Sequence, residues 1–421
     1  MAPAVWPPAI VPADAGLRRY VLRVPSKPNT PPPPPGTPIA APTTTTRRCT
    51  RLAPSPTGAL HLGNAMAFAA AWAIARAQSW RLVLRIEDLD GPRIKPGAAA
   101  HIERTLAWLG LDWDAPPLQQ SHDLTPYARA MDQLAQRALV YPSTLSRHQL
   151  AAHESGASAP NAGTGEAPHP AALRPDRWQQ PRAFALAPAN APPHTPPHTP
   201  AAEAAASEPS MSPTAWRFAT PNRAVTFTDA IAGPQSHRPA NIVGDFAVWT
   251  KQGVPAYQLA VVVDDARQGV TDVIRGNDLL DSAARQLMLI SALHAPAADN
   301  ANSATLRADA APLNAADVHG APRYWHLPLI VGHDGRRLAK RHGDTRIDTY
   351  RALGTTPERV IGLVAHWLGA LERPRPLRAI ELPALLANAW TLDQQPAAPT
   401  RVRQQPTITF THQDHQWLTS T

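Results

Sequence analysis

The chain has 421 residues, 49 of them proline, a formal net charge of +8 and a single cysteine. That length allows two or three ordinary domains, and the proline content implies sizeable unstructured segments beside a packed core. One cysteine, Cys49, excludes an internal disulfide and any multi-cysteine metal site and fits a reducing cytoplasm; no apolar run of about 18 residues exists to span a membrane.

In chain order, residues 1–46 carry proline clusters without sustained periodicity and read as a disordered Pro/Thr-rich extension, with a short strand at "RRYVLRV" and no signal-peptide pattern. Arg51-Leu52 then looks like a strand end, "APSPTG" (53–58) a stiff loop, and "NAMAFAAAWAIARAQ" (64–78) a helix apolar nearly all round, hence buried. "RLVLRI" (81–86) predicts a buried strand, "GAAAHIERTLAWLG" (97–110) a helix stopping at Gly110, and "YARAMDQLAQRALV" (127–140) an amphipathic helix. Residues 152–211 are low-complexity; the histidines of the "PPHT" repeat read as part of a solvated linker rather than a metal site. "AYQLAVVVDD" (256–265) predicts a strand ending in two carboxylates, "GVTDVIRG" (269–276) a second strand and "LLDSAARQLMLISALH" (279–294) a helix. Residues 295–320 have the composition of a disordered insertion. Thr356 and Pro357 suit the cap and first position of the helix "PERVIGLVAHWLG", which ends at Gly369. Strand and helix alternate, which predicts an α/β domain with a largely parallel sheet.

Three features carry chemistry. A strand, a tight loop and a helix N-terminus make an anion site, with His61 and Gly63 at the helix entry; the plainer alternative is a turn with an incidental histidine. Arg85, Glu87, Asp88 and Asp90 form a charge run at a strand end, functional at Glu87 or merely solvated. Asp264 and Asp265 sit where α/β sheets place sites, or cap a strand end; both readings stay open. Trp108, Trp113 and Trp367 read as core rather than base-stacking platforms. The basic charge suits RNA or phosphate-rich substrates, though an arginine-rich soluble surface gives the same balance.

The string "RLAPSPTGALHLG" (51–63) resembles the first signature, the HIGH region, of the class I glutamyl-type aminoacyl-tRNA synthetases, with His61-Leu62-Gly63-Asn64 at its four positions. "LRIEDLD" (84–90), "WLGLDWD" (108–114) and "GRRLAKRHGDTRI" (335–347), the last similar to the KMSKS loop, follow in family order. The resemblance covers roughly 47–150 and 215–370. It implies a Rossmann-like catalytic domain in two halves (47–141 and 241–294). Between them lies an inserted acceptor-binding subdomain (142–240), and after them a low-complexity insertion (295–320), the KMSKS-like loop and following helix (321–371), and a C-terminal tail (372–421). Residues 253–289 look most similar to the family's truncated branch, which lacks an anticodon-binding domain and attaches glutamate to queuosine in the anticodon loop of tRNA(Asp); only 80 residues follow Arg341, too few for a full anticodon-binding domain.

The resemblance also implies a site. Arg51, helped by the Tyr257 hydroxyl, and Arg275 hold the two carboxylates of L-glutamate, which arginine takes which being open; planar guanidinium groups suit that task. Glu87 meets the ammonium, with the Ala53 backbone and Ser55 nearby. Pro54, His61, Gly63, Asn64 and Lys340 face ATP, whose Mg²⁺ rides on phosphates and water. His61 and Lys340 act as the catalytic pair, Lys340 within the KMSKS-like run Arg337, Leu338, Ala339, Lys340, Arg341. Two departures stand out: Ala339 replaces a serine, and Ser143 and Leu145 stand where many relatives carry zinc-binding cysteines, so that zinc site is expected to be absent. His148, His153 and His169 lie near it without convincing ligand spacing. The expected partners are L-glutamate, ATP and queuosine-bearing tRNA(Asp), with no membrane, for a monomer in the cytoplasm. The competing readings are a truncated synthetase charging a tRNA 3′ end, a catalytically inactive RNA-binding paralogue, and a nucleotidyltransferase of the same superfamily, which Glu87 and Tyr257 disfavour.

Overall fold

A computed structural model describes residues 47–145, 169–175, 214–295, 311–336, 338, 345–392 and 398–420. The expected strand at "RRYVLRV", the "PPHT" repeat, His148 and His153 lie outside the described residues.

Strand β1 (Cys49–Leu52) passes through the 53–61 loop into helix α1 (Leu62–Ala77), which returns the chain to β2 (Arg81–Ile86), parallel to β1 with Leu52 opposite Leu84. Helix α2 (Ala98–Trp108) stops before Gly110, whose φ of 79° is the left-handed conformation that glycine adopts without Cβ strain. Strand β3 (Leu118–Gln119) then adds to the far side of β2. Helix α3 (Thr125–Gln136) ends four residues short of the expected 140. Ala138 turns the chain at φ 52°, and Val140–Ser143 form strand β4, where pairing with a distant strand outweighs the helical periodicity.

The middle of the chain supplies β5 (Ala215–Phe218), β6 (Val225–Asp229), β7 (Gly233–His237), the short helix α4 (Pro239–Ile242) and β8 (Ala247–Trp249). β4, β5 and β8 make one antiparallel sheet, and β6 and β7 a hairpin. The segment expected as a strand over 256–265 is instead helix α5 (Tyr257–Gln268). Its three consecutive valines cost only tenths of a kcal/mol each in helix propensity, roughly. Burying Leu259, Ala260, Val261 and Val262 in the core shared with α3 outweighs that cost. Gly269, at φ 67° and bonded through its N–H to the Ala266 carbonyl, closes the helix.

Strand β9 (Asp272–Gly276) follows and lies beside β1, tied to it by Thr271 N–H donating to the Cys49 carbonyl at 2.8 Å. Then come helix α6 (Leu280–His294), β10 (Leu313–Asn314), β11 (Arg323–Leu327), parallel to β9, and β12 (Leu329–Val331). The central order is therefore β3-β2-β1 continued by β9-β11. The chain builds outward from β1 on one side and returns to its other side, so a crevice opens at the carboxyl ends of β1 and β9.

Residue parity along these strands fixes the two cores. Leu52, Leu82, Leu84, Ile274 and Trp325 pack with α1 and α2 on one face, while Cys49, Val83, Val273 and Tyr324 pack with α3, α5 and α6 on the other. Arg51, Arg85 and Arg275 share the parity of Cys49, Val83 and Val273. Three arginines are thus carried to one face, at the carboxyl ends of adjacent strands.

Two further sequence expectations need correction. Residues 311–320, expected as part of a low-complexity insertion, include β10, which pairs with β6. Of residues 372–421, expected as a tail, the described stretches 372–392 and 398–420 fold onto the catalytic core. After α7 (Ile347–Ala352) and α8 (Pro357–Trp367) come α9 (Leu382–Ala389), α10 (Thr400–Arg403), β13 (Thr407–Thr409) and α11 (His412–Thr419). β13 pairs with β12, and Leu382, Leu386, Trp390 and Leu418 are buried with α1. Sparse apolar residues among prolines give a weak pattern, but each fills the groove that α1 and α8 leave open. Among the described residues, no helix is long and apolar enough to cross a membrane.

Candidate active site

The 53–61 loop is pinned to the end of β2, since the Glu87 N–H donates to the Pro54 carbonyl at 3.0 Å. It delivers the chain to α1, where the His61 N–H donates to Asn64 Oδ1 at 3.1 Å, capping the helix start. His61 is exposed, its Nδ1 3.2 Å from the Thr345 hydroxyl. The Leu62 N–H donates to the Thr345 carbonyl at 3.0 Å and the Ile347 N–H to the Leu60 carbonyl at 2.9 Å. A Cβ on Gly63 would lie 4.0 Å from that of Ile330. Both flanks of the KMSKS-like segment therefore meet the N-terminus of α1. Arg337, Ala339, Lys340 and Arg341 lie outside the described residues, whereas Leu338 packs half-buried against the α1 core.

The arginine face is dense with charge. Arg51, 4% exposed, donates through Nε to Asp265 Oδ1 at 3.2 Å and through Nη1 to the Ile274 carbonyl at 3.3 Å. Arg85 is fully buried and grips two acids, Asp265 Oδ1 at 2.7 Å and Glu87 Oε1 at 3.2 and 3.3 Å. Arg275 donates to His326 Nε2, Gln286 Oε1 and the Leu279 carbonyl, each at 3.0 Å. Tyr257 opens α5 and is 37% exposed, its hydroxyl within the fields of Arg275, Glu87, Arg51 and Asp265. The structure thus brings Arg51, Glu87, Tyr257 and Arg275 together, with Ala53, Pro54 and Ser55 on the bordering loop.

Charge states follow from these partners. Burial raises the pKa of Glu87, against the pull of Arg85 and Arg51. Burial also opposes ionisation of Asp265, but the Arg85 and Arg51 charges outweigh it and hold the carboxyl below its ordinary value. Only Oε1 of Glu87 is engaged among the described residues, which leaves Oε2 for a cation.

The open readings of the acids resolve by geometry. Asp264 and Asp265 lie on a helix, not at a strand end. Asp265 faces the arginines, while Asp264 accepts from the Tyr127 hydroxyl at 2.7 Å and Gln120 at 2.8 Å inside the α3 packing. Asp88 is occupied by Gln119 and Ser121, and Asp90 pairs with Arg93 at the surface. Sequence reasoning missed Asp229, His326 and Gln286, and it took Arg85 only as part of a charge run. For Arg85 the signal was its parity with Val83, masked because arginine beside two acids reads as solvated.

Around the expected zinc position, Asp245 accepts from the Tyr141 hydroxyl and Arg174 Nη2, each at 2.6 Å, and from the Thr220 N–H at 2.8 Å. His169 Nδ1 lies 3.2 Å from the same hydroxyl, and burial pushes this histidine's pKa down to about 4. Ser143 ends β4, and among the described residues no group of three or more His, Cys, Asp or Glu side chains could hold a metal.

Residues 48–177 and 192–311 match the catalytic domain of the tRNA synthetases class I (E and Q). The chain belongs to this family. It is 40% identical over 363 residues to a glutamyl-Q tRNA(Asp) synthetase of Symbiobacterium thermophilum, covering 84% of this chain and 95% of the relative. A glutamyl-Q tRNA(Asp) synthetase of Rhodopirellula baltica is 39% identical over 327 residues, covering 76% and 84%. A solved glutamate tRNA ligase from Elizabethkingia meningosepticum, in complex with its amino acid, superposes with a TM-score of 0.60 at 24% identity, covering 88% of this chain and 68% of that one. That likeness shows the fold. The stretch that resembles the HIGH region lies at the amino end of α1, beside the carboxyl ends of β1 and β9.

Proposed function

We propose that this class I synthetase activates L-glutamate with ATP and transfers it to queuosine in the anticodon loop of tRNA(Asp). The observation that carries the reading is a row of buried, separately anchored groups at the carboxyl ends of adjacent strands, Glu87, Arg51 and Arg275, with Oε2 of Glu87 unengaged among the described residues. Two planar cations and one anion match the two carboxylates and one ammonium of glutamate. The acceptor follows from the relatives, which carry the name glutamyl-Q tRNA(Asp) synthetase and are covered over most of their length.

In the first step a glutamate α-carboxylate oxygen bonds to the α-phosphorus of ATP, the bond to the bridging oxygen breaks, and pyrophosphate leaves with its Mg²⁺. The protein's part is positioning and charge. Arg51 with the Tyr257 hydroxyl holds one carboxylate, Arg275 the other, and Glu87 the ammonium; Ala53 and Ser55 border the amino acid. His61 and the α1 N-terminus, with Pro54, Gly63 and Asn64, receive the phosphates and the adenosine. Lys340 neutralises the departing pyrophosphate, with Arg337, Leu338, Ala339 and Arg341 beside it in the KMSKS-like run. In the second step a queuosine ring hydroxyl attacks the glutamyl carbonyl and AMP leaves. The enzyme works as a cytoplasmic monomer.

Glutamate-dependent ATP–pyrophosphate exchange without tRNA, followed by transfer to tRNA(Asp) with and without queuosine, tests this. Exchange together with queuosine-dependent transfer supports it. No exchange overturns the enzyme reading, and charging of a tRNA 3′ end without queuosine overturns the acceptor. Exchange that survives both Lys340→Ala and Arg51→Ala overturns the residue roles.

A further inference from the structure

The partner of Arg275 is itself held by an acid. Strands β9 and β11 pair so that His326 stands directly opposite Arg275 on the α5–α6 face. The imidazole is fully buried. Its Nε2 accepts from Arg275 Nε at 3.0 Å, and its Nδ1 lies 2.6 Å from Asp229 Oδ2. A guanidinium has no acceptor, so Nε2 must present its lone pair, and the proton sits on Nδ1 and is donated to Asp229. Asp229 is fixed in turn, because its Oδ1 accepts from the N–H groups of Ile231, Ala232 and His326 at 2.9, 2.8 and 3.1 Å. Burial opposes ionisation of Asp229, but the bonds from His326 and the backbone prevail and keep its pKa below the ordinary carboxylate value.

The rest of the guanidinium is clamped as well. Gln286, which accepts from Nη1, is itself oriented by donating to Gln258 Oε1 at 3.0 Å, and Gln258 donates to the Ser282 hydroxyl at 3.2 Å. The Tyr324 ring stacks on His326 at 5.8 Å and lies 5.3 Å from the Arg275 guanidinium carbon. Nε, one N–H of Nη1 and one of Nη2 are thereby used, which among the described residues leaves two of the five donors.

We propose that Asp229 and His326 are positioning residues for substrate binding: they hold a neutral imidazole in one tautomer, which fixes the guanidinium plane of Arg275 so that its two remaining N–H groups meet a glutamate carboxylate together. This rests on the reading of Arg275 as a carboxylate-binding group. Protonation of His326 would set an Nε2–H against the Arg275 Nε–H, donor to donor and cation to cation, and rotate the plane away. The groups around the imidazole are Asp229 from the end of β6, Arg275 from β9, the Leu279 carbonyl, Asp281 from α6 (paired with His237 at 3.2 Å) and Tyr324 from β11. Burial and the Arg275 charge hold the imidazole below its ordinary pKa, against the pull of Asp229.

Pyrophosphate exchange with the full chain tests the proposal through the KM values for glutamate and ATP. His326→Leu is expected to raise the glutamate KM about 30-fold with the ATP KM within about twofold. His326→Gln, which keeps an acceptor and a donor on one plane, is expected to stay within about threefold of wild type. The wild-type glutamate KM rises at acid pH, below the ordinary histidine range, and that of the Gln variant stays flat. An unchanged glutamate KM in His326→Leu, equal rises in both KM values, or a Gln variant no better than Leu overturns the proposal. Should the Leu variant fail to fold by circular dichroism, identical pH profiles for wild type and His326→Gln overturn it. A wild-type chain without glutamate-dependent exchange overturns the functional reading and this inference with it, whereas exchange with an unresponsive KM overturns this inference alone.

Discussion

The arginine face and the N-terminus of α1 belong to one crevice but are built in opposite ways. On the arginine face, Arg51, Arg85 and Arg275 are almost fully buried and every one is held by named acceptors. At the helix end, His61 is exposed, and the chain segments flanking the KMSKS-like run meet it through Thr345 and approach Gly63 through Ile330. The contrast teaches where each kind of binding energy is organised. A buried charge must be partnered before substrate arrives, so on the proposed reading carboxylate recognition is preorganised in the sheet. A helix terminus offers its dipole and N–H groups without further support, so the proposed phosphate end needs no such buried scaffold.

The strongest way to break that comparison is to remove the buried hub. Arg85→Leu strands Glu87 and Asp265 without their shared cation and is expected to cost about 3–5 kcal/mol of stability, read as a fall in urea midpoint. A loss below about 1 kcal/mol would mean that the acids find other partners and the face is not preorganised. Next comes Arg275→Ala, expected to lower kcat/KM for glutamate about 100-fold while the ATP KM holds. Loss shared equally between the two substrates would erase the distinction between the two regions.

The third prediction concerns acid. His169 is neutral in the folded protein, with its pKa pushed down to about 4 by burial and the Arg217 charge. The unfolded chain takes up this proton at about pH 6.5, so stability is lost as pH falls from there toward the folded value. Between pH 6.5 and 5 this histidine accounts for about 1–2 kcal/mol, and His169→Asn should flatten that part of the pH dependence of the urea midpoint. The smallest effect is expected at Gly63. A Cβ there has room and improves helix propensity by up to about 1 kcal/mol, so Gly63→Ala should leave stability unchanged or raised. If ATP lies against this backbone, the same variant raises the ATP KM about fivefold. An unchanged KM would move the nucleotide away from the helix entry.

Much of the helix-end region could be read from sequence because its geometry is local. The strand end at Arg51-Leu52, the stiff "APSPTG" loop, the apolar helix behind it and the glycine at its entry lie within one continuous stretch, and the structure has them in that arrangement. The arginine face was half readable. Arg51, Glu87 and Arg275 were singled out, and the period of two puts them on one side of the sheet. Helix α5 was read as a strand because "AVVV" is a β-branched run, and periodicity over so few residues cannot separate a buried helix from a buried strand. With that error Asp265 was assigned to a strand end, when it is the acid that ties Arg51 to Arg85.

By itself, the sequence determined the strands at 81–86 and 269–276, the buried helix behind the 53–58 loop, and which side chains carry the charge, since propensity, parity and capping depend on neighbours a few residues apart. Only the tertiary structure decided who answers those charges. Asp265 lies 180 residues from Arg85, and His326 lies 51 residues from Arg275. Those meetings follow from β9 inserting beside β1 and β11 beside β9. Strand order is a property of how two apolar faces are covered at once, and no local pattern encodes it.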